Sequence, residues 1–308
     1  MNIIVIGPTL LTKACIEEIA KNHRILALFT LDEISGSKKC RYTTFFGQAQ
    51  KYNFKLCQVK KVNTPENLSL IKSLDPDLII ETGWSEIVPK EILEIPQKGT
   101  VGLHGAILPD VRGGASLNWA LIRGEKEWGV SLYYLAKKVD QGDIIGIKNF
   151  NITLEDDIDT LHHKSDLASA ELLKEYLPLI EQDKAPRIPQ DPSKGIKLPQ
   201  RKPEDGKIDW NKASPETYDW IRAQTHPFPG SFTFFKDKEL YIWKASYKEY
   251  DEKEFEPGQI TEIDEDGIKV KTSNNSILIK RLNFKNEPEQ WAYDFALKND
   301  LKVGDSFV

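Results

Sequence analysis

The chain of 308 residues is too long for one compact core and fits two domains. Hydrophobic residues make up 40% and charged residues 29%, an ordinary globular balance, and a net charge of -5 provides no overall attraction to a polyanion such as nucleic acid. The three cysteines have neither metal-type nor redox-pair spacing, and the N-terminal apolar runs are too short to span a membrane. We therefore expect a reduced, cytoplasmic protein without a membrane segment.

Short apolar runs alternate with helical patterns over the first hundred residues. NIIVI at 2–6 predicts a strand, a helix follows to about Asn22, and RILALFT predicts a second strand. NLSLIKSLDP and PKEILEIP predict helices, and each precedes a strand, DLIIETGW at 77–84 and the strand that ends at His104. This alternation favours an α/β domain with a Rossmann-like, mostly parallel sheet.

The pattern changes after Gly129. GVSLYYLAKKVDQGDIIGIKNFNI predicts two strands joined at KKVDQGD, and residues 157–182 predict a long amphipathic helix with Asp156 or Asp157 as its N-cap. Proline, lysine and arginine are then dense over 185–206, where no periodicity holds, which is typical of a linker.

Five short strands are predicted beyond the linker, with Asp-Gly and Asn-Asn pairs between them. Their number and spacing favour a small OB-like β-barrel. We thus predict a catalytic domain at 1–184, a linker at 185–206 and a C-terminal OB-like β domain at 207–308.

Several kinds of site are disfavoured by the motifs that are missing. The turn after the first strand, GPTLLTKA, has one glycine, too few for a dinucleotide fingerprint, and the chain contains no phosphate-binding Gly-Lys-Ser/Thr loop. A hydrolase nucleophile elbow, Gly-x-Ser-x-Gly, is also missing. His162 and His163 are adjacent and point to different sides of a helix, so we predict no metal site.

His104 has a location that suits catalysis, because ligands bind beyond the carboxyl ends of strands in open α/β sheets. Asp140, in KKVDQGD, lies in another loop that can reach the same edge. An aspartate that orients an imidazole and stabilises its charged form makes histidine an effective base. Because no protein nucleophile accompanies His104 and Asp140, this pair indicates proton transfer during attack by a nucleophilic group of the substrate itself.

Four segments together resemble the 10-formyltetrahydrofolate-dependent formyltransferases: LHGAILPDVRG, LNWALIRGE, GVSLYYLAKKVDQGDII and RKPEDGKIDW. This superfamily includes enzymes that act on methionyl-tRNA, glycinamide ribonucleotide and amino sugars. The likeness extends over nearly the whole chain, and GASLNWALIRGE looks closest to the sugar-nucleotide branch. The resemblance implies 10-formyltetrahydrofolate as formyl donor and no metal.

The resemblance also implies roles for individual residues. His104 matches the family's catalytic histidine as a proton relay, and Asp140 matches the aspartate that orients it. The implied folate-side residues are Gly83, Trp84, Ile87, Val139 and Asp140. Those implied on the substrate side are Arg112, Asn118 and Arg201.

Gly102 departs from the family pattern, because the asparagine of the Asn-x-His motif falls on this glycine. That asparagine supplies a hydrogen-bond donor to the oxyanion, and the loss of one such donor typically costs about a hundred- to a thousand-fold in rate. A water or backbone N–H, another side chain such as Asn118, or a loss of activity would each account for the difference. We favour the first and expect Gly102→Asn to be tolerated or activating.

Three functions remain open at this point. The preferred one is N-formylation of a nucleotide-linked amino sugar of UDP or dTDP type; a nucleic-acid partner is not favoured. The second is formylation of methionyl-tRNA, with SKKCR at 37–41 and KGIKLPQRK at 194–202 as basic segments. The third is a non-catalytic folate- or nucleotide-binding protein.

The C-terminal aromatics are interleaved with lysines, and strand alternation makes core packing the favoured interpretation of most of them. A homodimer face is the alternative. The residues concerned are Phe232, Phe234, Phe235, Tyr241 and Trp243.

Overall fold

The computed structural model describes residues 1–247 and 254–308. Contacts divide the chain into two units. The first comprises Met1–Ser116, Glu127–Asn151 and His162–Pro199, and the second Leu117–Lys126, Ile152–Leu161 and Gln200–Val308. The domain bounds expected from the sequence stay a prediction, because these units are defined by contacts and not by independent folding.

The first unit contains a seven-stranded sheet in the order β3-β2-β1-β4-β5-β7-β8. The ladders from β3 through β5 are parallel, whereas β7 pairs antiparallel with β5 and with β8. The predicted α/β class is thus confirmed. The strands are β1 (Asn2–Ile6), β2 (Arg24–Leu31), β3 (Lys55–Val59), β4 (Leu78–Glu81), β5 (Thr100–His104), β7 (Glu127–Tyr134) and β8 (Ile144–Asn151).

A small parallel pair joins two distant parts of this unit. Strand β6 (Val111–Gly113) follows the His104 loop and pairs with β9 (Ile196–Leu198). β9 lies inside 185–206, so the stretch predicted to be a linker contains a strand. It is not predicted from the sequence, because a strand of three residues among prolines shows no clear alternation of polar and apolar residues.

Helices pack on both faces of the large sheet, and its central strands are therefore buried on both sides. Ile3 and Val5 face one hydrophobic core and Ile4 and Ile6 face the other, as strand alternation requires. The helices of this unit are α1 (Leu10–Ile19), α2 (Glu33–Gly36), α3 (Phe46–Tyr52), α4 (Pro65–Leu74), α5 (Lys90–Leu93) and most of α7 (Ile158–Glu181). The first residues of α7 and all of α6 (Ser116–Ile122) except Ser116 belong to the second unit.

The long helix α7 begins where the sequence predicts. Asp157 Oδ1 accepts hydrogen bonds from the backbone N–H groups of Asp159 and Thr160, so Asp157 rather than Asp156 caps the helix. Asp156 instead accepts from the backbone N–H of Thr153. Asp157 thus satisfies backbone donors that would otherwise lack a partner at the start of the helix.

The second unit is built on an antiparallel sheet in the order β10-β11-β14-β13-β12, with β15 paired to β14. The predicted turns fall between β12 and β13 and between β13 and β14. The strands are β10 (Ser231–Phe235), β11 (Lys238–Tyr247), β12 (Ile260–Asp264), β13 (Gly267–Lys271), β14 (Ser276–Phe284) and β15 (Gln290–Trp291). Helices α8 (Ser214–Arg222) and α9 (Ala292–Lys298) and a 3-10 turn (Pro203–Gly206) complete the unit.

The aromatic residues of β10 and β11 are mostly not in the core. Phe235 is buried, but four other rings alternate with buried positions and stay half-exposed on the opposite face: Phe232, Phe234, Tyr241 and Trp243. We call these four, with His226 stacked on Trp243 at 3.9 Å between ring centres, the aromatic row. Core packing is therefore the wrong interpretation for most of these residues, because alternation identifies two faces without showing which one is covered.

Within the described ranges, no helix has both the length and the apolar character needed to cross a bilayer.

Gly113, at the end of β6, is expected to be intolerant of a side chain. Its φ of +98° is left-handed, and an added Cβ would overlap the carbonyl oxygen of Leu198. We predict that Gly113→Ala lowers the free energy of unfolding by more than about 1 kcal/mol, measured by urea denaturation.

The matched control is Gly47→Ala in α3, where an added Cβ meets nothing within 4 Å. It should leave stability unchanged or raise it by up to about 1 kcal/mol, because it restricts only the unfolded chain. Equal effects of the two substitutions would contradict the strained role of Gly113.

Candidate active site

The candidate site lies at the carboxyl ends of the parallel strands β4 and β5. His104 is the last residue of β5, and Asp140 lies in the loop between β7 and β8. The structure brings the two together, with His104 Nδ1 3.8 Å from Asp140 Oδ1 and with side chains only 10% and 9% exposed. The predicted convergence therefore holds.

The ring of His104 is held by the backbone and not directly by Asp140. Its Nε2 lies 3.1 Å from the carbonyl oxygen of Val111, so Nε2 carries the proton of the neutral ring. The 3.8 Å separation from Asp140 is too long for a hydrogen bond. Asp140 therefore acts on His104 through its charge, and Nδ1 is the nitrogen that can accept a proton.

Asp140 is fixed by three contacts and an unusual backbone. Tyr133 Oη donates to Oδ1 at 3.0 Å, the Gly113 N–H donates to Oδ2 at 3.0 Å, and Arg112 Nε donates to its carbonyl oxygen at 3.2 Å. Its φ of +56° lies in the left-handed region, which aspartate tolerates better than most residues. These contacts hold the Asp140 carboxyl group in place beside the imidazole.

Burial lowers the pKa of His104 below its ordinary value of 6.5, although the Asp140 carboxylate opposes this by favouring the imidazolium. The ring is consequently neutral at neutral pH and ready to accept a proton. Asp140 then stabilises the imidazolium that forms.

The three residues predicted on the substrate side have their donors engaged within the protein. Arg112 donates to Gln190 Oε1 and to the carbonyl oxygens of Asp140, Asp191 and Lys194. In the second unit, Asn118 Nδ2 donates to the carbonyl oxygen of Ala223 at 2.7 Å. One of the two Nδ2 donors of Asn118 is thus engaged by a backbone oxygen, which fixes the side chain and weakens it as a substitute for the family's asparagine.

Arg201 is engaged in the same way within the second unit. Its guanidinium lies 5.0 Å from the ring centre of Trp119 and 4.6 Å from that of Trp220, and it donates to the Gln224 side chain. Contact of Arg112, Asn118 and Arg201 with an acceptor stays a prediction.

The predicted folate-side residues surround the same edge of the sheet. Gly83 (φ +78°), half-buried Trp84 and exposed Ile87 follow β4, and exposed Val139 precedes Asp140. Lys39 Nζ secures this loop by donating to the Gly83 carbonyl oxygen at 2.9 Å and to Ser85 Oγ at 2.5 Å. Folate contacts of these residues stay predictions.

Glu81 is the residue that the sequence analysis missed. It ends β4 inside an apolar pattern, so nothing in the sequence distinguishes it, and it lies directly opposite Gly102 in the β4–β5 register. Burial raises its pKa to about 7, the nearby Asp140 charge acts in the same direction, and Lys39 opposes both. This carboxyl group therefore exists in both protonation states near neutral pH.

In residues 1–247 and 254–308, no three His, Cys, Asp or Glu side chains are grouped so that they could hold a metal ion. The absence of a metal requirement stays a prediction.

Residues 1–177 match the formyl transferase family, and residues 201–299 match the C-terminal domain of formyl transferases. The chain belongs to the formyltransferase family. It is accordingly an enzyme that transfers a formyl group from 10-formyltetrahydrofolate. The predicted family, donor and enzyme class are confirmed at this level.

Among curated relatives of this formyltransferase, the methionyl-tRNA formyltransferase of Clostridioides difficile is 33% identical, with 99% of each chain covered. A variant of HypX from Aquifex aeolicus has a similar fold (TM-score 0.68, 18% identity), with 99% of this chain covered but only 49% of HypX.

A sugar enzyme also shares the fold. The N-formyltransferase of Helicobacter canadensis, solved with folinic acid and dTDP-3-aminofucose, has a TM-score of 0.66 and 18% identity, with 90% of this chain and 98% of that chain covered. At these identities, the likeness to HypX and to the sugar enzyme shows the fold and not the acceptor.

The charge of Asp140 can be tested through the pKa of His104. Because Asp140 raises that pKa against the effect of burial, Asp140→Asn should lower it further below 6.5. NMR titration of the imidazole measures this directly. Asp143→Asn, in the same loop, is the control and should have a much smaller effect; an unchanged His104 pKa in Asp140→Asn would contradict the electrostatic role.

The surroundings of Gly102 make Gly102→Asn less favourable than expected from the sequence, because a side chain there requires the end of the Leu135 side chain to move. An added Cβ would overlap Leu135 Cδ1 and lie 3.3 Å from both Glu81 Oε2 and Tyr133 Cε1. We predict that Gly102→Asn costs about 1–3 kcal/mol of stability and lowers activity.

Leu135→Ala should partly restore the stability of Gly102→Asn, because it removes the overlapping methyl group. Thermal unfolding of the single and double variants measures the coupling. Wild-type stability and raised activity in Gly102→Asn alone would restore the original expectation.

Proposed function

We propose that this enzyme formylates the amino group of methionyl-tRNA, with His104 as the base. The free amine attacks the formyl carbon of 10-formyltetrahydrofolate, and the carbonyl electrons move onto oxygen. His104 Nδ1 takes the proton from the amine nitrogen. The bond from carbon to folate N10 then breaks, N10 receives the proton, and formamide and tetrahydrofolate remain.

The observation that carries the chemistry is the His104–Asp140 pair at the carboxyl edge of the sheet. Its neutral, buried imidazole has Nε2 directed to the Val111 carbonyl oxygen and Nδ1 on the side of Asp140. General base catalysis by such a group typically contributes about a hundred- to ten-thousand-fold in rate.

The loop after β4 supports the folate-side assignment. Two polar atoms in this loop, Trp84 Nε1 and Glu86 Oε2, are shielded from solvent and lack a hydrogen-bond partner among the described residues. A buried donor and acceptor left unpaired are costly, and a bound polar ring would satisfy both. We propose that Trp84 and Glu86 contact the pterin.

Two observations favour methionyl-tRNA as acceptor over the sugar nucleotide preferred from the sequence. Relatives named methionyl-tRNA formyltransferase are 31% and 33% identical over 99% of this chain, which includes both matched family regions. The aromatic row, with Lys207 Nζ 5.4 Å from the Phe234 ring centre, also offers stacking faces of the kind that nucleic-acid binders use.

A nucleotide-linked amino sugar is the second candidate, and the SKKCR segment favours it. Lys39 is engaged by Gly83 and Ser85, and Arg41 pairs with buried Asp166 at 2.6 Å. These two cations of the segment are therefore occupied within the protein and are poorly placed to bind phosphates.

The test is turnover of 10-formyltetrahydrofolate with methionyl-tRNA and with UDP- and dTDP-amino sugars, with formamide measured by mass spectrometry. We expect formyl-methionyl-tRNA, with affinity falling steeply as salt rises because phosphate contacts release counterions. Formylation of an amino sugar, with an affinity that changes little as salt rises, would establish the second candidate. Donor binding with no turnover of any acceptor would instead support a non-catalytic protein.

His104→Ala should lower kcat/KM by about a hundred- to ten-thousand-fold, because it removes the base that takes the amine proton. Glu91→Gln, a change at an exposed carboxyl group, is the matched control. Full activity of His104→Ala on the acceptor that the wild type uses would refute the assigned role.

A further inference from the structure

Glu81, Gly102 and Tyr133 lie side by side on three neighbouring strands. Gly102 of β5 is opposite Glu81 of β4 in one ladder and opposite Tyr133 of β7 in the other. His104 is two residues beyond Gly102, and side chains two apart on a strand face the same side of the sheet. The Glu81 carboxyl therefore shares a face with the proposed base.

The Glu81 carboxyl lies beside the position that a side chain at residue 102 would take, a position that the Leu135 Cδ1 methyl group approaches most closely. Glu81 Oε2 lies only 3.3 Å from the position that a Cβ at residue 102 would take. Glu81 Oε1 accepts a hydrogen bond from the Trp84 backbone N–H, which fixes the orientation of the group. Oε2 is thus the oxygen that faces the position where the family's asparagine side chain would begin.

We propose that the carboxylic acid of Glu81 donates the hydrogen bond that stabilises the oxyanion of the tetrahedral intermediate, in place of the asparagine that this chain lacks. The proposal rests on the formyl transfer described above. No proton needs to leave Glu81: Oε2–H donates while the formyl oxygen carries the negative charge, and the carbonyl re-forms when the bond to N10 breaks.

The surroundings of Glu81 leave part of the carboxyl population protonated near neutral pH. Asp140 disfavours the carboxylate and Lys39 favours it, while burial of the carboxyl raises its pKa to about 7. The phenol of Tyr133 and the thiol of Cys15 also face this charge, and each has its own pKa raised in part by Glu81. His104 is neutral at neutral pH and adds no positive charge.

The prediction concerns the alkaline side of the pH–rate profile. Because the donor is the protonated acid, wild-type kcat should fall as pH rises above about 7, the pKa of Glu81. Glu81→Gln carries a donor that does not titrate, so it should retain substantial kcat and lose this decline. Glu81→Ala should lower kcat about a hundred- to a thousand-fold, with little change in the KM for the folate.

The experiment measures kcat and KM of the wild type, Glu81→Gln and Glu81→Ala from about pH 5 to about pH 9, with exposed Glu91→Gln as control. Wild-type kcat in Glu81→Ala, an unchanged alkaline decline in Glu81→Gln, or equal losses in both variants would each overturn the proposal. Thermal unfolding of each variant shows whether it is folded, and Glu81→Gln alone tests the pH effect if Glu81→Ala does not fold.

The same variants separate this proposal from the choice of acceptor. Hydrolysis of 10-formyltetrahydrofolate to formate passes through the same kind of tetrahedral intermediate, with water as the nucleophile. If neither methionyl-tRNA nor an amino sugar is formylated, the acceptor assignment fails. The pH dependence of formate release by the wild type and Glu81→Gln then still decides the role of Glu81.

Discussion

The register between β4 and β5 determines which groups meet at the carboxyl edge of the sheet. Glu81 is paired with Gly102, and His104 follows two residues later on the same face. A shift of one residue would turn these side chains to the opposite face and disassemble the site. The register is held because β4 and β5 are buried by apolar side chains, among them Ile79, Ile80 and Val101.

The loops around this edge supply what strands alone cannot. Asp140 is held in a left-handed conformation by contacts from Tyr133, Gly113 and Arg112. Arg112 also donates hydrogen bonds to Gln190, Asp191 and Lys194. It therefore connects the segment that leads to β9 with the loop that carries Asp140. Such preorganised contacts place charge beside His104 before any substrate binds, which is the basis of electrostatic catalysis.

Much of the fold is predictable from the sequence because buried parallel strands are short apolar runs. The strands around β1, β4 and β5 and the capped helix α7 follow from composition and spacing. The strand β3 and the short β9 are missed, since KLCQV mixes polar and apolar residues and β9 has only three residues. Their pairing depends on neighbours that a local pattern does not contain.

The site is predictable in part for similar reasons. His104 and Asp140 are found because a strand end and a motif identify them, whereas Glu81 is missed because its role depends on a strand register. The direct partner of His104, the Val111 carbonyl oxygen, is a backbone atom and leaves no side-chain signature. The aromatic row shows the same limit, because alternation cannot tell which face of a sheet a core covers.

The measurement that tests the central claim most directly is a crystal structure with a bound 10-formyl folate analogue. The account predicts the formyl carbon beside His104 Nδ1, with the formyl oxygen within hydrogen-bonding distance of Glu81 Oε2. A formyl group bound away from the ends of β4 and β5, or one whose oxygen is held by other donors while Glu81 points elsewhere, would contradict it.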